Sequence, residues 1–282
     1  MMDKLIIKNI VAGIFILGFF ACKEPSPVQV TTALSDNYHF VRDSIKSKFG
    51  EGCALADSQM NHCLIISEYF LKMTGGDTVI SQAINDTLDQ YFKNTLVSIA
   101  SYSEDSIHST YRMLSRDELY KKIAAEHKAQ TNEIPEFSGV WTIDTYADTA
   151  GILPKVISIR YSESTYLGGA HPNTFTTLLN FDTKTGKTIH FKDIVKDDKK
   201  FLKLAEEEFR TYQGLKPDQK LDEEGYFFDQ GVYSLPLNFS ITRAGLELFY
   251  NPYEVAAYVY GPLVYILPYE RLEDCVHLEK IR

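Results

Sequence analysis

Residues 166–187 read YLGGAHPNTFTTLLNFDTKTGK, and this stretch decides the fold. Gly168 and Gly169 permit backbone angles that a Cβ forbids. Pro172 fixes its own φ and drives His171 towards extended geometry. From Thr174 the residues alternate. Phe175, Thr177, Leu179 and Phe181 share one side, and Thr174, Thr176, Leu178 and Asn180 share the other. A period of two predicts a strand with one apolar face. The turn after it, Asp182 to Lys187, has Asp early and Gly late, as a short hairpin connection requires. Ile157, Ile159 and Tyr161 alternate upstream. The expected unit is a pair of antiparallel strands, 155–166 and 174–181, joined by the loop Gly168-Gly-Ala-His-Pro-Asn173.

Working outward, Leu64 to Met73 predicts a strand. Gly75-Gly76 breaks it, and Asp77 or Thr78 caps a helix. Ile80, Ile84, Leu88, Tyr91 and Leu96 then lay an amphipathic helix on a core. Ser115 and Glu118 form a capping box flanked by Leu114 and Leu119, opening a second helix to about residue 130. Asp117, Glu118 and Glu126 on it read as a solvated face. Trp141 is assigned to the core rather than to an exposed stacking site. Asp197 or Asp198 caps a further helix, with Phe201, Leu204, Ala205 and Phe209 on one face and Gly214 at its end. Residues 214–231 form a polar, acidic loop. Phe239–Ile241 and Leu246–Tyr250 flank a hairpin turn, Asn251-Pro-Tyr253 turns the chain, and Leu263–Leu267 is a last strand stopped by Pro268. The fold class is α+β: an antiparallel or mixed sheet with helices packed on it, in two related or tightly packed halves. Residues 36–185 form the first domain, containing the hairpin, and 186–282 the second.

The chain has 282 residues, 44% of them hydrophobic, and a formal net charge of −9. With no basic stripe, that balance argues against nucleic acid as a partner. It suits solubility and is compatible with a cationic partner. Residues 1–21 read as a targeting segment. Lys4 and Lys8 precede an apolar run from Ile10 to Phe20, short for a membrane span. Ala21-Cys22 ends it in the manner of a bacterial lipoprotein signal, with lipid expected on Cys22. The alternative is an uncleaved anchor helix. Residues 22–35, with Pro25 and Pro27, form a tether. In an exported chain Cys53 and Cys63 are the nearest pair for a disulfide, with pairings to Cys275 as alternatives.

The loop Gly168–Asn173 and the segment NFSITRAGLELFYNPYEVAAYVYGPLVYILPYERL (238–272) together resemble the extracellular region of RsiV-type anti-sigma factors. That family senses lysozyme, and a related non-catalytic domain precedes the deacetylase of PdaC-type enzymes. The resemblance covers roughly residues 60–272. It implies a cell-envelope domain that recognises a lysozyme-like protein or peptidoglycan, presented on a membrane through the lipid on Cys22. Anti-sigma and deacetylase activities are not expected, since the segments that carry them have no counterpart in this sequence.

No nucleophile elbow, phosphate loop or zinc-hydrolase helix is present, and neither a metal site nor a cofactor is expected. No residue is assigned a catalytic role. The candidate ligand-binding residues are Gly168, Gly169, His171, Pro172, Asn173, Tyr253, Glu254 and Tyr258. His171 and Glu254 each have a plainer use, pinning their own loop or turn. The alternatives are a peptidoglycan-modifying hydrolase with a carboxylate site the sequence does not reveal, and a structural envelope lipoprotein.

Overall fold

The computed structural model describes residues 38–55, 62–101, 109–133 and 139–282. The targeting segment, Cys22 and the tether lie outside them. Five strands form one sheet in sequence order: β1 (Tyr38–Phe49), β2 (Leu64–Gly75), β3 (Trp141–Ile152), β4 (Val156–Tyr166) and β5 (Asn173–Asp182). All neighbours are antiparallel except β2 and β3, which run parallel from Leu64↔Trp141 to Tyr69↔Tyr146. Parallel strands need a long crossover. Here it is made by α1 (Thr78–Ala100) and α2 (Arg116–Glu133), which cover one face of the sheet. A second, three-stranded antiparallel sheet holds β6 (Asn238–Ile241), β7 (Gly245–Tyr250) and β8 (Leu263–Pro268). Short α3 (Phe191–Ile194) and the longer α4 (Asp198–Gln213) precede it, and α5 (Tyr269–Leu272) and α6 (Leu278–Ile281) follow it. The architecture is thus α+β, with one mixed and one antiparallel sheet.

Local chemistry explains the elements. The Asp77 carboxylate accepts from the N–H groups of Val79 and Ile80 and starts α1. The buried stripe of α1 is Ile80, Ile84, Leu88, Phe92 and Leu96, one residue in four, with Tyr91 partly buried against the same core beside Phe92. Ser115 and Glu118 make the expected capping box. Asp197 caps α4, and Gly214 ends it in a left-handed conformation. Phe201, Ala205 and Phe209 of α4 pack onto the second sheet. The acidic loop after α4 is not a loose connection, because Leu221, Tyr226 and Phe228 are buried in the same core. Strand β1 carries mostly exposed residues and gave no periodic signal; its pairing with β2 places it. Cys53 and Cys63 are disulfide-bonded, and Cys275 is a buried free thiol. No helix among the described residues is long and apolar enough to cross a membrane.

The two sheets are joined by a seam of buried polar side chains. The Ile241 N–H donates to Asn180 Oδ1 at 3.0 Å and to Ser158 Oγ at 3.1 Å. Asn180 Nδ2 donates to the Phe239 carbonyl at 2.8 Å, and the Leu178 N–H donates to Asn238 Oδ1 at 3.1 Å. Asn251 takes both backbone groups of Thr176, accepting from its N–H at 2.7 Å and donating to its carbonyl at 3.0 Å. Carboxamides thereby replace a backbone ladder between β5 and the second sheet. Gly151 lets β6 approach β3, because a Cβ there would stand 2.3 Å from the Ile241 carbonyl. Leu153 and Val156, at the β3–β4 turn, belong to the second core. These contacts correct the expectation that β5 has one apolar face. Leu178 and Asn180, on its other side, are buried as well, because the second sheet covers them.

Asn251→Ala leaves the Thr176 N–H and carbonyl without partners. It is expected to lower unfolding free energy by about 2–4 kcal/mol in urea titration, with little change in the slope against denaturant.

Candidate functional site

Two segments 82 to 86 residues apart in sequence meet on the surface. The β4–β5 loop brings His171 against the turn after β7, and its imidazole stacks on the Tyr258 ring at 4.1 Å and 18°. Tyr253 lies alongside, 6.3 Å from the imidazole and 5.5 Å from Tyr258 by ring centroids. The Tyr258 hydroxyl donates to the Pro172 carbonyl at 3.1 Å, and His171 Nδ1 lies 2.9 Å from the same carbonyl oxygen. The Tyr253 hydroxyl lies 3.4 Å from His171 Nε2. His171, Pro172, Asn173 and Tyr253 are exposed, and Tyr258 is half-buried. Of the paired glycines only Gly168 takes a positive φ, 88°, so it alone requires the missing side chain.

Glu254 sits behind this cluster rather than in it. Its two carboxylate oxygens accept from the N–H groups of Leu237, at 3.1 Å, and Asn251, at 2.8 Å. The Glu254 N–H returns a bond to the Asn251 carbonyl at 3.0 Å. This clamp holds Tyr253 at φ 67°, a left-handed conformation that costs a bulky residue roughly 1–2 kcal/mol. A strained residue persists only where its surroundings over-determine it, and such residues gather at functional positions. The strain here exposes an aromatic ring, 54% accessible, instead of burying one. The chemistry offered is the exposed Tyr253 ring and an imidazole stacked on a second tyrosine. That suits stacking against a flat ligand and hydrogen bonding to its rim. No group of three or more His, Cys, Asp or Glu able to hold a metal is present among the described residues.

The fold also assembles a carboxylate cluster that the sequence concealed. Glu68 of β2, Thr145 of β3 and Glu163 of β4 stand in one row across the sheet, facing the helices. Glu68 is fully buried; Arg116 and the Tyr120 hydroxyl donate to its two oxygens. Arg116 also pairs with Asp89 and lies over the rings of Phe70 and Phe92. Tyr161 and Thr95 share a hydrogen bond of 2.7 Å, and Thr95 donates to Glu163. The Thr145 hydroxyl, between the two carboxylates, has no partner among the described residues. Burial pushes both carboxyls above the usual carboxylate range, against the opposing pull of their hydrogen-bond donors. Glu68, Arg116 and Tyr120 pin α2 to β2 and enclose the carboxylate completely. No short stretch of the sequence marks this cluster, since its members come from five elements, β2, β3, β4, α1 and α2.

A carboxyl whose folded pKa is raised favours the folded state most when protonated. The stability from Glu163 is therefore complete below its unfolded value of 4.5 and falls as pH rises through the folded value. Glu163→Gln keeps an acceptor for Thr95 without the charge. It is expected to melt above the parent chain at pH 7, with the gap closing by pH 4. A variant that melts lower at pH 7 would contradict this assignment.

Comparison with known proteins bears on the second half most directly. Residues 192–270 match the sequence pattern of a family described as "Protein of unknown function (DUF3298)". The chain is 25% identical over 192 residues to the peptidoglycan-N-acetylmuramic acid deacetylase PdaC of Bacillus subtilis (strain 168). The alignment covers 64% of this chain and only 38% of that protein. Two solved structures share the fold at 18% identity each. A DUF3298 family member from Bacteroides fragilis NCTC 9343 gives a TM-score of 0.62, covering 85% of this chain and 93% of its own. A DUF3298 family protein from Pseudomonas aeruginosa PAO1 gives 0.58, with 86% and 96% covered. Residues 192–270 thus match the DUF3298 pattern, and the likeness of fold extends over most of the chain.

Proposed function

We propose that this protein is a cell-envelope binding protein that recognises peptidoglycan through the exposed His171–Tyr253–Tyr258 cluster. The observation that carries the reading is Tyr253: an exposed ring held in a strained backbone by a dedicated carboxylate clamp. Stability alone would favour glycine or asparagine at that position. Amino-sugar rings present flat C–H faces that pack on such rings, with amide and hydroxyl groups at the rim for the tyrosine hydroxyl and the imidazole. The distant relative acts on peptidoglycan by its printed name, which supports the same ligand class. Lipid on Cys22 would keep the domain at a membrane within reach of the wall. The role is binding; no step of bond making or breaking is assigned to any residue.

A second reading is a cationic, lysozyme-like protein as partner. It is favoured by the acidic loop at residues 216–231, which places exposed Phe227 beside Asp222, Glu223, Glu224 and Asp229. Charge attraction of that kind weakens as salt screens it.

Retention on purified sacculi separates these readings. The parent chain is expected to co-sediment with sacculi at moderate salt, and Tyr253→Gly combined with Tyr258→Ala to lose at least tenfold in affinity. Tyr253→Gly alone relieves the left-handed strain and is expected to melt no lower than the parent while binding less. His171→Ala is expected to weaken binding with little change in melting temperature. Binding to lysozyme that survives moderate salt, with no retention on sacculi, would favour the second reading instead.

A further inference from the structure

Strands β2 and β3 run side by side only as far as the pair Tyr69↔Tyr146. Beyond it β2 stays with β1 and β3 stays with β4, and a cleft of about 550 Å³ opens where they part. That volume lies within the usual span of small-molecule sites, roughly 300–1,000 Å³. Tyr69 and Tyr146 line it, directly opposed on neighbouring strands and 49% and 45% exposed. Phe70 and Thr145, from the helix side of the sheet, line it too, so the cleft cuts between the strands instead of lying on one face. Thr145 is its buried end, and the Thr145 hydroxyl has no partner among the described residues.

The charged lining is acidic. Asp43, Asp144 and Asp148 are set against a single cation, Arg42, and Asp148 already holds that cation at 2.6 Å. The Asp43 carboxylate accepts from the N–H of its neighbour Ser44, at 2.8 Å, and has no cation beside it among the described residues. Asp144 has neither a hydrogen-bond nor an ion-pair partner among them. Lys46 shares the register of Asp144 but stands two strands away, about 10 Å, and forms no part of the wall.

A cross-strand tyrosine pair alone stabilises a sheet. Two uncompensated carboxylates beside a cleft do not, because a wall of net negative charge focuses its own field there. A bound cation relieves that repulsion, and the tyrosine faces attract it as well. The orphaned Thr145 hydroxyl adds a donor and an acceptor in the same place. Two rings side by side form a strip broader than a lone ammonium needs, and fit a sugar ring laid across them. We propose that the β2–β3 cleft binds an amine-bearing glycan, in which amino sugars carry a free ammonium in place of the acetamide. The rings stack on Tyr69 and Tyr146, and the ammonium is held by Asp43 and Asp144. The proposal rests on the wall-binding reading above and deepens it, naming the de-N-acetylated units of the glycan as what this second site recognises.

The probe is glucosamine tetraose, titrated calorimetrically into the full chain, with its N-acetylated counterpart, chitotetraose, beside it. The pH is mildly acid, so that the sugar amines are charged while the aspartates remain ionised. The glucosamine oligomer is expected to bind at least fivefold tighter than the acetylated one. Asp43→Asn with Asp144→Asn should abolish that preference and leave the acetylated probe unchanged. Tyr69→Ala with Tyr146→Ala should weaken the amine probe at least tenfold, and the Phe double variant should retain most of the affinity. Tetralysine should bind more weakly than the glucosamine oligomer. Absence of binding, equal affinity for the two sugars, or a preference that survives the Asn double variant overturns the proposal. So does an unaffected alanine variant that melts normally, or tetralysine bound as tightly as the sugar, which would make the ligand a polypeptide cation. If sacculi are still retained in any of these cases, the wall-binding reading stands without this site. If the glucosamine oligomer binds as expected but intact sacculi are not retained, this site stands and the His171 reading falls.

Discussion

The seam between the sheets is the constraint on which the rest of the structure depends. A sheet edge exposes backbone donors and acceptors, and burying them unpaired costs more than apolar packing at that edge returns. Here Asn180, Asn238 and Asn251 supply the missing partners, each placing a carboxamide where a neighbouring strand would have placed a peptide. The second sheet can then sit across β3, β4 and β5 instead of extending them, and β5 becomes buried on both faces. Arg160 continues the joint, paired with Glu247 at 2.8 Å and lying over Phe249.

The same joint positions the surface chemistry. Asn251 holds β5 through Thr176, and its own N–H and carbonyl are held by Glu254. The turn carrying Tyr253 is thus fixed relative to the strand that begins at Asn173. Stacking between His171 and Tyr258 follows from that registration, because the two loops belong to elements already locked together. A rigid platform loses little side-chain freedom on binding, so a modest number of stacking contacts retains more of its value. By crossing only one side of the large sheet, the second sheet also leaves the region around Tyr69 and Tyr146 open.

On the opposite face, burial of charge serves a different end. Glu68 and Arg116 are enclosed with Tyr120 beneath α2, and Glu163 shares its site with Thr95 and Tyr161. Such groups define how the helices seat more than they add net stability, since removing charge from water offsets most of the Coulombic gain. Glu68 has both oxygens engaged by Arg116 and Tyr120 and none of its surface exposed.

The sequence by itself determined the local elements. Period-two alternation marked β4 and β5, a four-residue spacing marked α1, and Asp77, Ser115–Glu118 and Asp197 marked helix starts, because each signal acts within a few residues. It also singled out His171, Tyr253 and Tyr258, through turn chemistry and a resemblance spanning separate segments. Only the tertiary structure decided that these three form one cluster, that Glu254 serves as a clamp behind them, and that β2 and β3 pair in parallel across a two-helix crossover. The same holds for the row Glu68–Thr145–Glu163 and the pair Tyr69–Tyr146, each assembled from different strands. Strand register is set by long-range burial on two faces, and no short window of sequence contains both partners. Strand β1 shows the limit most simply: its outward residues carry no apolar period, and β2, brought back beside it across the disulfide-closed loop, defines it as a strand.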